Sequence, residues 1–178
     1  MREARFRSNN SSKINAYRFC FAFLIFVSFL CGCSSGNNNL EIDTGSVVKV
    51  IDGDTYDILL DGQQTRIRMY GIDAPERGMD FYKVSKNHLG SLCDGKQIKI
   101  ERVDKDRYGR IVAKSYLPNG KELGEEMIKA GLAWHFKKYS KDENLATYEV
   151  TAREQKLGLW SIDNPTPPWE YRKKKRGN

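Results

Sequence analysis

Hydrophobic positions in this chain first appear as one unbroken run, Phe19 to Leu30 (FCFAFLIFVSFL), and then change texture completely. From Ser46 onward they come in short β-rich runs, Ser46 to Val50, Thr55 to Leu60, Thr65 to Ile72, Gln97 to Val103 and Arg110 to Leu117, which predict five strands. Asp61-Gly62, between the second and third runs, is a tight hairpin signal because both residues tolerate the left-handed backbone such a turn requires. Helical spacing predicts helices over about Phe81 to Leu92, Gly124 to Ala130 and Lys141 to Leu157. The last opens on Ser140-x-x-Glu143, a capping box, and stops at Gly158. Five strands with helices inserted late and at the end is the element order of an OB-fold β-barrel with about three packing helices, an α+β class. Phe81, Leu89 and Leu92 read as the buried stripe of the first helix.

The early apolar run is too short to span a bilayer comfortably. It follows Arg2, Arg5, Arg7, Lys13 and Arg18, the basic flank of an export signal, so residues 1–32 are expected to leave with the signal peptide. The exit, Leu30-Cys31-Gly32-Cys33, resembles the bacterial lipoprotein signal, with Cys33 as the acylated residue. Residues 33–44, small and polar, read as the lipid-attachment cysteine and its flexible tether. A globular domain over 45–162 and a Pro-rich, then basic, tail over 163–178 complete the expected organisation. The tail is expected to be irregular and its charge run solvated, the alternative being contact with phosphates or anionic lipid. The protein is thus expected in the cell envelope outside the cytoplasm, held at a membrane by its N-terminal lipid, and monomeric.

Charge and cysteine content narrow the chemistry. The formal charge is +7, but the signal segment and the terminal Arg172-Lys173-Lys174-Lys175-Arg176 account for it, and residues 33–171 sum to −2. Bulk charge therefore does not argue for a polyanionic partner, and nucleic-acid binding would have to come from locally placed Arg and Lys. Once Cys20 and Cys31 leave and Cys33 is acylated, Cys93 is the sole thiol, so no internal disulfide is available. With His88 and His135 the only histidines, a Cys/His zinc site is hard to assemble. Trp134 and Trp160 read as core, and His135 as structural or solvent-facing.

The chemistry is concentrated in Val50-Ile51-Asp52-Gly53-Asp54-Thr55, in Arg66-Ile67-Arg68-Met69-Tyr70-Gly71-Ile72-Asp73-Ala74-Pro75-Glu76, and in Asp106-Arg107-Tyr108-Gly109-Arg110. A phosphodiester hydrolase without histidines or thiolates to spare needs a hard cation, which takes carboxylate and carbonyl oxygens. It also needs fixed positive charge around the phosphorus, which the planar arginine fork supplies. Asp54 and Asp73 can converge on one ion if the first and third strands are neighbours. Thr55 and the Ala74 carbonyl are nearby oxygens, and Pro75 directs Glu76 back toward the site.

In this order, with a Gly-Leu-Ala helix exit and a Gly-Leu-Trp close, the motifs resemble the staphylococcal (thermonuclease) nuclease family over about Ser46 to Trp160. The resemblance implies one Ca2+ ion held by Asp54, Asp73 and the Ala74 carbonyl, with Asp52 just outside orienting the ligands. It implies Arg68 and Arg110 on the scissile phosphate of DNA or RNA, and Glu76 on the attacking water as base or positioner. Arg107 and Tyr108 would flank the phosphate or sugar, and Tyr139 would contact a terminal phosphate. Two features depart from the family pattern. A tyrosine expected shortly before Tyr139 is absent, leaving Lys137 as a substitute phosphate donor, and the loop after Glu76 (Arg77-Gly78-Met79-Asp80) is short. The competing readings are a catalytically inactive OB-fold module that only binds nucleic acid, and an envelope scaffold. The first would lack one or more of Asp52, Asp54, Arg68, Asp73, Glu76 and Arg110; the second requires none of them.

Overall fold

A computed structural model describes residues 41–177. The signal segment, Cys33 and most of the tether lie outside the described residues.

Strands β1 (Ile42–Val50), β2 (Thr55–Leu60), β3 (Gln63–Met69), β5 (Gln97–Lys105) and β6 (Ile111–Tyr116) close a barrel in the order β1-β2-β3-β6-β5. This is the five-stranded OB barrel expected from the sequence. All its pairings are antiparallel except β3 with β6. Register shifts between Val47 and Lys49 and between Arg102 and Asp104 mark bulges, which bend strands enough for a small barrel to close. The β2–β3 hairpin turns on Asp61 and Gly62, both at positive φ. Inward-facing Val47, Tyr56, Ile58, Ile67, Met69, Ile98, Ile100 and Ala113 fill the interior.

Helix α1 (Tyr82–Cys93) closes one side through Leu89 and Cys93, both fully buried. The Cys93 thiol donates to the Leu89 carbonyl, and burial pushes its pKa up to about 12, so it is an inert core group. Helix α2 (Leu123–Lys129) contributes Leu123, Met127 and Ile128 to the same core, and α3 (Glu143–Glu154) adds Leu145. A second cluster joins Trp134, Ala152, Leu159 and Trp160, with the two indoles edge to face at 5.4 Å. A two-stranded ribbon of β4 (Ile72–Asp73) and β7 (Trp134–His135) sits beside the barrel.

Several expectations are corrected. Strand β1 starts at Ile42 rather than Ser46, because Ile42 to Ser46 pair with β5 and Arg102 Nε grips Asp43 at 2.6 Å, so the tether is shorter than residues 33–44. The cap of α3 is Asp142, whose carboxylate accepts from the Asn144 and Leu145 amides; Ser140 instead accepts from the Asp142 amide. The tail is not irregular. Pro168 to Gly177 form helix α4, started by a proline whose fixed φ suits a first helical position and anchored by Trp169, which stacks on Phe136 at 5.3 Å. Among the described residues, no helix is long and apolar enough to cross a membrane.

Candidate active site

Asp54 ends a tight turn just before β2, and Arg68 faces its neighbour Thr55 across the hairpin. The turn is closed by the Ile51 and Asp52 amides on the Thr55 carbonyl, and the Met69 amide ties the Asp54 carbonyl to the end of β3 at 2.8 Å. Only glycine fits at position 53, since a Cβ there would collide with Ser85 Oγ and crowd Ala74. Gly71, at φ +77° and packed against Leu145 and Ser140, turns the chain from β3 into β4 and so delivers Asp73. The two aspartates therefore meet through the β2–β3 hairpin and its continuation. The expectation that the first and third strands are neighbours is corrected: β1 pairs with β2 and β5, and β3 with β2 and β6.

Asp54 and Asp73 are buried, and one nitrogen joins them: Arg68 Nη2 lies 3.2 Å from Asp54 Oδ2 and 3.0 Å from Asp73 Oδ1. Arg68 Nη1 donates to the Met69 carbonyl, fixing the fork. Asp54 also accepts from Thr55 Oγ1 at 2.8 Å and from the Ala74 amide at 2.7 Å. Asp52 accepts from the Asp54 amide at 3.1 Å; burial first, and the Asp54 charge second, push it up to about 7. Burial likewise raises Asp73, with Asp54 adding to the rise while Arg172 and Arg68 oppose it. Two carboxylates in so little water are tolerable only with cations between them.

Those cations include a residue the sequence reading did not place here. Arg172 of α4 puts Nη2 2.7 Å from Asp73 Oδ2 and Nη1 3.1 Å from Asp73 Oδ1, and the same Nη1 donates to Glu76 Oε1 at 2.7 Å. Burial works against its charge, yet the hydrogen bonds to Asp73 and Glu76 prevail and hold its pKa above the ordinary arginine value. Glu76 is thereby aimed back toward Asp73. Tyr70, also unassigned from sequence, donates to the Tyr139 carbonyl at 2.7 Å and ties the far lip of the cleft to the barrel.

The remaining candidates line the same open cleft, about 1870 Å3 in volume. Arg110 is fixed by Asp106, which accepts from its Nε at 2.6 Å, from its amide and from the Tyr108 amide. Tyr108 is exposed, with the Arg107 guanidinium over its ring. Tyr139 is exposed at the rim beside Phe136. Lys137 lines the cleft and is paired there with Glu149 Oε2 at 3.2 Å. His135 is buried with neither ring nitrogen hydrogen-bonded, and burial lowers its pKa, with Glu149 opposing; it is a neutral structural group.

The donor chemistry suits a hard cation. Asp54, Asp73, Thr55 Oγ1 and the Ala74 carbonyl are all oxygens, and the guanidinium groups of Arg68 and Arg172 already occupy cation positions against the two carboxylates. Among the described residues no group of three or more His, Cys, Asp or Glu side chains could hold a metal, so an ion here would rely on main-chain, hydroxyl and water oxygens beside the two aspartates.

An OB barrel with buried carboxylates under arginines, in a cleft open enough for a polymer, defines a class of nucleic-acid hydrolases. The family model of staphylococcal nuclease homologues matches residues 66–162. An uncharacterized endonuclease of Escherichia coli is 40% identical over 131 residues, covering 74% of this chain and 86% of that protein. A micrococcal nuclease of Shigella flexneri is 36% identical over 139 residues, covering 72% and 80%. A staphylococcal-like nuclease of Arabidopsis thaliana is 46% identical over 112 residues, 63% of this chain but 34% of that protein. The chain belongs to the staphylococcal nuclease family and is a hydrolase of the nuclease type.

Proposed function

We propose that the protein is a Ca2+-dependent nuclease that hydrolyses phosphodiester bonds of DNA or RNA with low sequence specificity, by attack of water on phosphorus. The observation behind this reading is the buried Asp54–Asp73 pair bridged by Arg68 in a cleft that also presents Arg110 and Glu76. Asp54, Asp73 and the Ala74 carbonyl would hold the ion, with Asp52 fixing the Asp54 backbone. A bound Ca2+ would polarise a phosphate oxygen and acidify an attacking water. Arg68 and Arg110 grip non-bridging phosphate oxygens and stabilise the charge that builds on them in the transition state. Glu76 orients the water by hydrogen bond or takes its proton, and Arg107 and Tyr108 flank the adjoining phosphate or sugar. These groups address backbone rather than base edges, which is why little sequence preference is expected.

We further propose that the chain is exported and held at the envelope through Cys33, on the strength of its N-terminal sequence.

The direct test incubates the protein with single-stranded DNA, duplex DNA and RNA in Ca2+, in Mg2+ and in excess chelator. Cleavage in Ca2+ that chelator abolishes is the expected result. Binding without cleavage under every condition would overturn it in favour of an inactive OB-fold binding module.

A further inference from the structure

Helix α4 brings a basic stripe to the cleft. Trp169, Arg172, Lys175 and Arg176 all line it, and their spacing of three, six and seven residues puts them on one helical face. Lys173 and Lys174 are exposed and do not line the cleft. The helix is held against the site by independent contacts. Pro168 is buried, Trp169 stacks on Phe136, and the Tyr171 hydroxyl reaches the Arg77 carbonyl at 3.4 Å beside Gly78, where a side chain would strike it. Arg68, Arg107 and Arg110 line the same cleft, and Arg68 meets Arg172 at Asp73 Oδ1. The acidic centre thus shares with these basic residues a space larger than the few-hundred to 1,000 Å3 typical of small-ligand pockets.

We propose that α4 is a wall of the substrate cleft and binds the sugar–phosphate backbone of a single nucleic-acid strand through Arg172, Lys175 and Arg176. This deepens the nuclease reading and rests on it for the identity of the polymer. Lys175 and Arg176 are exposed while lining the cleft, and Arg176 Nε donates to the Arg172 carbonyl at 3.3 Å, one turn back along the same face. Arg172 has a double position. Its fork neutralises Asp73 and Glu76, and a divalent cation entering on Asp73 would repel it toward the nearest remaining anion, the phosphate of the bound strand. Arg172 therefore competes with the ion for Asp73 and joins the phosphate-binding set once displaced.

Two measurements on the full chain test this. In excess chelator, where no cleavage can interfere, binding of a fluorescent twelve-nucleotide oligo-dT is followed by anisotropy across a salt series. The double variant Lys175→Ala/Arg176→Ala should weaken binding about tenfold and flatten the slope of log affinity against log salt by about 1.4, the value for two lost single-strand phosphate contacts. Lys173→Ala/Lys174→Ala removes the same charge from outside the cleft and should change the slope by less than half as much. Equal effects from the two double variants, or none from the first, would overturn the proposal. Separately, Ca2+ titrated calorimetrically should bind Arg172→Gln at least threefold more tightly than the unaltered chain; unchanged or weaker binding removes Arg172 from its place on Asp73. A wild-type protein that binds oligo-dT through Lys175 and Arg176 yet never cleaves would overturn the nuclease reading and leave the assignment of α4 standing.

Discussion

Arg68 touches Asp54, Asp73 and the Met69 carbonyl with one largely buried guanidinium. Its removal does two things at once. It takes away the proposed phosphate grip, which should lower kcat by on the order of 10²-fold or more. It also leaves two carboxylates facing each other in a dry site, and breaking a buried pair in this way costs about 3–5 kcal/mol. Arg68→Ala should therefore melt well below the parent in chelator and recover much of the loss when Ca2+ is added. A variant whose melting temperature ignores Ca2+ would remove the ion from this pair. Asp52, Asp54, Arg68, Asp73, Glu76 and Arg110 were legible in the sequence because each sits in a short motif whose chemistry is local. Arg172 was not, because its partner Asp73 lies 99 positions away and a run of Arg and Lys reads equally well as a solvated tail. Glu122 is a titrating group outside the site. Burial is the main cause that raises it to about 7, with Lys114 opposing from 3.8 Å. The folded protein thus holds this proton more tightly than the unfolded chain. The resulting stabilisation is complete below about pH 4.5 and is lost as pH rises through 7. Glu122→Gln should accordingly gain stability over the parent at pH 8, on the order of 2–3 kcal/mol, and little or none at pH 4. Urea melts at the two pH values decide it, and equal differences at both would show that Glu122 does not titrate in this range.

Turns, more than strands, set the geometry of the site. The strands were legible from their apolar runs and the hairpin from Asp61-Gly62. Beyond that hairpin the sequence did not reveal which strands adjoin, since pairing depends on contacts between distant segments, and the expected route from Asp54 to Asp73 was wrong for that reason. The short ribbon of β4 and β7 was invisible at two residues per strand. Asp142 displaced Ser140 as the cap of α3 because its carboxylate reaches two helical amides and the Lys114 ammonium together, a tertiary contact that no local pattern encodes. Gly53 shows how tightly a turn can be held. Its backbone passes so close to Ser85 Oγ and Ala74 that a methyl group must displace one of them, and Ser85 is itself held by the Leu132 carbonyl at 2.8 Å. Gly53→Ala should cost about 1–3 kcal/mol from overpacking and shift Asp54 relative to Ala74. Ca2+ affinity should fall with stability, in contrast to a distant core substitution of equal cost, which should leave Ca2+ affinity alone. Unaltered Ca2+ binding in Gly53→Ala would show that the turn does not position the ligand.

At the scale of the whole molecule, the described residues run from Glu41, and the N-terminal sequence before them resembles an export and lipidation signal. Between Cys33 and Ile42 only eight residues intervene, SSGNNNLE, whose full extension reaches ~30 Å at most. The proposed acylation at Cys33, with so short a polar spacer, would confine the nuclease to a thin layer over the membrane, where extracytoplasmic Ca2+ at the millimolar level would suffice for the proposed oxygen site of two carboxylates. Among the described residues, β1 pairs with β2 and β5 from Ile42 onward. Cys33→Ser should therefore move the protein from the membrane fraction to the soluble fraction while activity per molecule on a short oligonucleotide stays within about twofold. Intact mass of the parent decides the chemistry, because acylation at Cys33 adds diacylglyceryl and fatty-acyl groups that the serine cannot accept. A parent found soluble, with an unmodified Cys33, would remove the anchor and leave the barrel and its cleft as they stand.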